Sequence, residues 1–230
     1  MRKQYKTLLF DVDGTLMDFD ASEAEQLRYI FQPFGEDRVE SMIDTYRRIN
    51  HELWDSYEKG LITKLHITDA RFDAVFKEYG ITADGKDAEL RYRRRLNQSA
   101  ILIPGAVNVL EELKDHFQMY VVTNGFADTQ KPRMADSGLD RYFIESFISE
   151  EIGYQKPQKE FFDYCFSHMN GVERDSTLII GDSLKSDIKG GIQAGIDTCW
   201  YNPHGKEADA GMTVTMEIRD IKELPHLLLC

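Results

Sequence analysis

Carboxylates, hydroxyls and a lysine recur at or near the ends of short apolar runs. TLLFDV (7–12) runs into Asp11, Asp13, Gly14 and Thr15, with Asp18 and Asp20 close behind. MYVVTN (119–124) ends in Thr123 and Asn124, followed by Gly125, and TLIIGD (177–182) ends in Gly181 and Asp182, with Asp187 five residues on. Lys156 stands in GYQKPQKEFF, just after the run SFIS (146–149). Carboxylates crowded at the end of a hydrophobic strand repel one another, and burial makes each charge expensive unless it is paired. Asp11 and Asp13 are two apart, so they lean toward one face while strand geometry lasts. A cluster of oxygen ligands without histidine or thiolate suits Mg²⁺, which takes carboxylates, waters and a substrate phosphate. Lys156, the Thr123 hydroxyl and backbone amides near Gly125 are then donors for the remaining phosphate oxygens. A site of this kind is built for phosphoryl transfer, where neutralising charge and aligning groups do most of the work.

Taken singly, each piece has an ordinary structural explanation. DVDG can be a turn, Thr123 and Asn124 the end of a strand, Lys156 a surface lysine, and GDSLKSD (181–187) a capped loop. Their common place at strand ends is what unites them, and that depends on the elements that carry them. The apolar runs, joined by TCWYN (198–202), alternate with helical patterns. Ala106, Val109, Leu110, Leu113 and Phe117 follow helical spacing, as do Phe162, Cys165, Phe166 and Met169, and then Ile188, Ile192 and Gly195. Strands alternating with helices imply an α/β fold, a doubly wound, mostly parallel sheet with helices on both faces. TVTMEI (213–218) adds an edge strand, and IKELPHLL a closing helix. In such sheets ligands bind outside the carboxyl ends of the strands, which is where Asp11, Asp13, Thr123, Asn124 and Asp182 fall. Pro157 is placed as a first helical residue, which sets Lys156 at a helix N-terminus facing the same crevice.

One region breaks the alternation. From Ala21 to Gln98 there is helical periodicity and no convincing buried strand. Val39, Met42, Ile43, Tyr46, Ile49, Leu53, Trp54 and Tyr57 trace one face of a long helix. Ile62, Leu65, Phe72, Val75, Phe76 and Tyr79 trace another, and Gly60 and Gly80 sit where these helices should stop. A segment of roughly 80 residues is too long for a loop. It reads as an inserted helical subdomain, residues 18–98, interrupting a core made of 1–17 and 99–230.

Composition narrows the partners. The chain has 230 residues, 42% hydrophobic and 30% charged, with a formal charge of −12, which argues against a nucleic acid polymer as partner. The basic run RYRRR (91–95) reads as a solvated helix face. Cys165, Cys199 and Cys230 are too few and too scattered for a disulfide framework or metal knuckle, which fits a reduced cytoplasmic setting. Arg2 and Lys3 precede an apolar run that turns acidic at Asp11, so it is no secretory signal, and no stretch reaches membrane-spanning length. The expected protein is a cytoplasmic monomer or homodimer.

In order, DVDGT (11–15), VVTNG (121–125), Lys156-Pro157 and GDSLKSD (181–187) resemble the motifs of the haloacid dehalogenase (HAD) superfamily of phosphohydrolases, over nearly the whole chain. The helical insert resembles that superfamily's type-1 cap, and the core its Rossmann-like sheet. The resemblance implies Asp11 as the nucleophile that becomes an aspartyl phosphate, and Asp13 as general acid and then base. It implies Thr123 and Lys156 as holders of the phosphoryl group. Mg²⁺ would lie on the Asp11 carboxylate, the Asp13 carbonyl and Asp182, with Asp187 orienting from behind. Asp13 speaks against dehalogenase chemistry, which has no alkoxide to protonate. TLMDFD (15–20), LITK (61–64) and DIKGGIQAGIDTCWYNP (187–203) further resemble the pyrimidine 5′-nucleotidase branch, which implies a nucleoside monophosphate substrate, with sugar phosphates and phosphoglycolate as alternatives. A phosphomutase and a phosphate-accepting signalling module share parts of this chemistry and are weaker fits. Asn124, Gly125 and Phe19 are the expected substrate-binding positions, Phe19 as an aromatic that could stack on a base or pack a hinge. The cap is expected to close over the site and exclude water.

Overall fold

The computed structural model describes residues 3–229, so the expectations that rest on Arg2 and Cys230 lie outside the described residues. The chain divides into two compact units, Met1–Phe19 with Ala100–Cys230, and Asp20–Ser99.

The first unit is built on a six-stranded sheet: β1 (Thr7–Phe10), β2 (Gln118–Thr123), β3 (Glu145–Ile148), β4 (Thr177–Gly181), β5 (Asp197–Tyr201) and β6 (Met216–Ile218). Their order is β3-β2-β1-β4-β5-β6, and every pairing is parallel. Successive residues of β1 feed opposite layers, as a parallel sheet covered on both faces requires. Leu8 and Phe10 pack with Ala106 and Leu110 of the helix α5 (Ala106–Leu113) and with Leu224, whereas Leu9 packs with Phe161, Phe162 and Cys165.

Alternation of sides is why the strands read as unbroken apolar runs. Phe10 is level with Val121 on one side and Ile180 on the other. Continuing that register one residue sets Asp11 level with Val122 and Gly181, so Thr123 and Asp182 are the next residues out on the flanking strands. Among the described residues no helix is long and apolar enough to cross a membrane, and Cys165 and Cys199 are buried free thiols.

The second unit is helical throughout. It holds α1 (Phe19–Phe31, whose first residue falls in the other unit), α2 (Val39–Glu58), α3 (Lys64–Glu78) and α4 (Gly85–Leu96). Gly60 and Gly80 follow α2 and α3 with positive φ, the left-handed stop that glycine permits. The buried face is aromatic: Phe31, Tyr46, Phe72 and Tyr92 lie with neighbouring ring centroids 5.0 to 6.4 Å apart. Arg71 is buried among them, bonded through Nη2 and Nε to both oxygens of Glu89 at 2.6 and 2.7 Å, with its guanidinium carbon 5.0 Å from the Tyr92 ring centroid. Leu65, expected on the apolar face of α3, is instead 67% exposed. The helix begins only at Lys64, with Thr63 accepting the His66 amide as N-cap, so Ile62 lies before it and the buried face runs through Ile67, Thr68, Arg71, Phe72 and Val75.

Glu23 of α1 is also buried, and burial is the main reason its carboxyl is pushed up to about 7, against the opposing pull of Arg71 and Arg47. A carboxyl with a raised folded pKa favours folding while protonated, so its stabilisation is present near pH 4 and is lost as pH rises through 7. Glu23→Gln should therefore flatten the decline in stability between those limits, by about 3 kcal/mol at neutral pH. Urea melts of both proteins at pH 5 and pH 8 measure it, and an unchanged difference between the two pH values would contradict it.

Candidate active site

The site lies at the carboxyl ends of β1, β2 and β4. Eight residues separate β1 from α1, and the chain uses them for a tight reversal. The Val12 carbonyl accepts from the amides of Leu16 and Met17, and the Gly14 amide donates to the Met17 carbonyl at 2.8 Å. Gly14 takes φ +84°, and a Cβ there would come within 2.6 Å of Asp182 Oδ2. The turn can thus press against the end of β4 only with glycine at its apex.

Lys156 is the hub. It is 1% exposed, and its Nζ donates to Asp11 Oδ1 at 2.7 Å, Asp187 Oδ1 at 2.7 Å and the Val122 carbonyl at 2.8 Å. An ammonium has three protons, and all three are committed. Lys156 therefore acts first on Asp11, and on a phosphate mainly through its charge. Burial alone would lower its pKa, but Asp11 and Asp187 outweigh that and hold it above the ordinary lysine value.

The expected place of Lys156 at a helix N-terminus is corrected. Pro157 follows a cis peptide bond and sits in a turn closed by the Gln158 amide on the Gln155 carbonyl at 2.8 Å. The helix α8 (Lys159–His168) starts two residues further on. What positions Lys156 instead is Asn124, whose Nδ2 donates to the Lys156 carbonyl and whose Oδ1 accepts the Lys156 amide, both at 2.9 Å. Asn124, expected at the substrate, spends its side chain on this backbone.

Asp11, Asp182 and Asp187 each offer an oxygen within 4.8 Å of the others. Burial, then repulsion from Asp187 and Asp182, lifts the Asp11 carboxyl well above the usual range despite Lys156. Burial and then Asp187 push Asp182 up to about 7. Three carboxylates facing one ammonium leave two formal negative charges in a buried space, and the donor set is all oxygen. A hard divalent cation fits both facts. Asp187 is fixed by accepting the Ser183 amide at 3.1 Å, and the Asp182 carbonyl accepts the Trp200 indole at 2.9 Å.

Thr123 is 2% exposed. Its Oγ1 accepts from the Gly125 amide and from Gln130 Nε2, each at 3.0 Å. A hydroxyl has two acceptor sites and one proton, so the Thr123 proton is the part left to donate. Asp13 has turned toward α6 (Ala127–Ser137). Its Oδ2 accepts Gln130 Nε2 at 2.6 Å and its Oδ1 accepts Arg133 Nη1 at 2.7 Å. Phe19 places its ring 5.6 Å from the Arg133 guanidinium carbon. Gln130 and Arg133 were not expected from the sequence. The helix between β3 and α8, α7 (Ser149–Ile152), adds Glu150, which accepts the Ala127 amide at 2.8 Å and anchors the start of α6. Downstream of the site, α9 (Lys189–Ala194) and α10 (Leu224–Leu229) complete the layers, with a π-helical turn at Leu184–Ile188 presenting Asp187.

Known proteins resemble this chain over nearly its whole length. A model of the haloacid dehalogenase-like hydrolases matches residues 5–195. The HAD-hydrolase YfnB of Bacillus subtilis is 46% identical over 98% of this chain and 96% of its own. Pyrimidine 5′-nucleotidase PynA of Streptococcus pneumoniae is 38% identical over 96% of this chain and 93% of its own. The crystal structure of YfnB bound to magnesium superposes with a TM-score of 0.91 at 45% identity, covering 99% of this chain and 100% of that one.

Proposed function

From the premise that this chain belongs to the haloacid dehalogenase-like hydrolase family, we propose that it is a Mg²⁺-dependent phosphomonoesterase working through an aspartyl phosphate, with pyrimidine nucleoside 5′-monophosphates as substrates. The observation that carries the chemistry is the Lys156 hub, one buried ammonium bonded to both Asp11 and Asp187. It fixes Asp11 Oδ1 at the mouth of the sheet as the oxygen nucleophile, with the ammonium charge opposing the burial that disfavours its ionised form. The similarity to PynA supports the nucleotide, and the all-oxygen cluster together with the magnesium in YfnB supports the metal. Residues 18–98 are taken as the cap and the remainder as the catalytic core.

In this reading an Asp11 carboxylate oxygen attacks phosphorus, and the bond from phosphorus to the nucleoside oxygen breaks. Asp13 gives its proton to that departing oxygen. A water then attacks the phosphorus of the aspartyl phosphate, Asp13 takes the water's proton, and the phosphorus–Asp11 bond breaks to release phosphate. The Thr123 hydroxyl donates to a phosphoryl oxygen, and Lys156 lowers the cost of bringing that dianion against Asp11. Asp11, the Asp13 carbonyl and Asp182 would hold Mg²⁺, which would supply neutralisation of the phosphate charge.

The test is phosphate release from a panel of nucleoside monophosphates, sugar phosphates and phosphoglycolate, compared by kcat/KM. UMP, CMP or dTMP should lead the panel. A lead for a sugar phosphate would move the substrate assignment, and recovery of an isomerised sugar phosphate in place of free phosphate would replace hydrolysis by mutase chemistry. EDTA should silence the enzyme and Mg²⁺ restore it, and indifference to chelation would remove the metal from the proposal.

A further inference from the structure

Asp13 is held by one helix from which the sequence offered no candidate residue. Gln130 and Arg133 are three apart on α6, so they share a face, and they take one oxygen of Asp13 each. Arg133 is 0% exposed and also donates to Gln130 Oε1 at 3.2 Å. The network fixes the orientation of the Gln130 amide, since its oxygen must face the guanidinium and its nitrogen the carboxylate. The same nitrogen reaches Thr123 Oγ1 at 3.0 Å. One amide thus ties the residue two beyond Asp11 to the hydroxyl at the end of β2. Space is cleared for it, because a Cβ on Gly125 would lie 2.3 Å from Gln130 Nε2. A fully buried arginine is a poor choice for stability alone, because a buried ion pair seldom outperforms an apolar replacement.

We propose that Gln130 and Arg133 are the positioning residues of this site, setting the Asp13 carboxyl in register with Thr123 for proton transfer to the leaving oxygen and from the incoming water. The inference rests on the aspartyl-phosphate reading above. Neither residue touches phosphorus. Arg133 fixes where Asp13 lies, and Gln130 fixes Asp13 relative to Thr123 while occupying an acceptor site of that hydroxyl, which leaves its proton for the phosphate.

The consequence depends on the leaving group. A nitrophenolate departs without an acid and an alkoxide does not. Arg133→Met and Gln130→Met should each lower kcat/KM for an alkyl phosphate by about 100-fold, the scale of a mispositioned acid. For 4-nitrophenyl phosphate kcat/KM should fall by less than about 5-fold, because its phosphorylation step needs no proton. With that substrate both variants should show a rapid burst of nitrophenolate followed by slow turnover, since water attack still needs Asp13 as base. Arg133→Lys should recover part of the alkyl phosphate loss. A variant that is merely part-unfolded would lose both substrates in proportion and show no burst. If Arg133→Met does not fold, as judged by circular dichroism, Gln130→Met, near its parent in size, carries the test.

Asp13→Asn is measured alongside. If it shows the burst and the leaving-group dependence while Gln130→Met and Arg133→Met behave as wild type, the positioning proposal is overturned and the acid–base reading stands. If Asp13→Asn itself shows neither, the acid–base reading is what fails.

Discussion

Asp11→Asn should abolish phosphate release from every substrate, by at least about 10⁴-fold, as expected when the group that forms the covalent bond is removed. The amide nearly preserves the shape but has no carboxylate oxygen to attack phosphorus. The structure further expects the variant to stay folded. Burial first, and then repulsion from Asp187 and Asp182, raise the pKa of Asp11, so removing its charge relieves those two acids while Lys156 keeps Asp187 and the Val122 carbonyl. Acid-quenched protein exposed to ³²P-labelled nucleotide should carry label in the wild type and none in the variant, with thermal melting close to wild type. Ordinary turnover by the folded variant would sink the nucleophile assignment. An inactive variant that melts far lower would mean that Asp11 is chiefly a structural partner of Lys156.

The core of this site was legible because strands buried on both faces write themselves as unbroken apolar runs, and whatever ends such a run is held at the sheet edge. Asp11, Thr123 and Asp182 are read that way. Lys156 was legible through its neighbours, although its support was misjudged: Pro157 suggested a helix start, and the structure uses a turn and Asn124. The grip on Asp13 was hidden for a physical reason. Hydrophobic periodicity finds helices by their apolar stripe, and α6 buries Thr129, Gln130, Arg133 and Met134, a stripe at helical spacing that is almost wholly polar. A polar stripe at that spacing directly after TNG is the signal that a reading for buried polar faces could have caught. Leu65 shows the converse, an apolar residue whose spacing fitted a buried face and whose side chain is exposed.

Lys156→Met should cost more than activity, and the excess should depend on divalent metal. In the wild type one ammonium, 1% exposed, faces three carboxylates. Removing one partner of a buried ion pair and leaving the other charged costs about 3–5 kcal/mol, and here at least two acids lose their partner at once. In EDTA the variant should therefore melt well below the wild type. Mg²⁺ supplies the missing positive charge. An ion that binds the folded cluster and not the unfolded chain stabilises by mass action, and Mg²⁺ should do so more in the variant, where Lys156 no longer repels it. The expected pair of results is a larger Mg²⁺-dependent rise in melting temperature for Lys156→Met than for wild type, together with phosphate release down by about 10³-fold. Tighter metal binding with lost turnover separates the two services of this lysine, since a cation can replace its charge in the cluster but not its hydrogen bond to Asp11 Oδ1. Wild-type melting in EDTA would show that the cluster does not need the ammonium. A Mg²⁺ shift no larger than wild type would show that Lys156 and the metal do not compete for the same field.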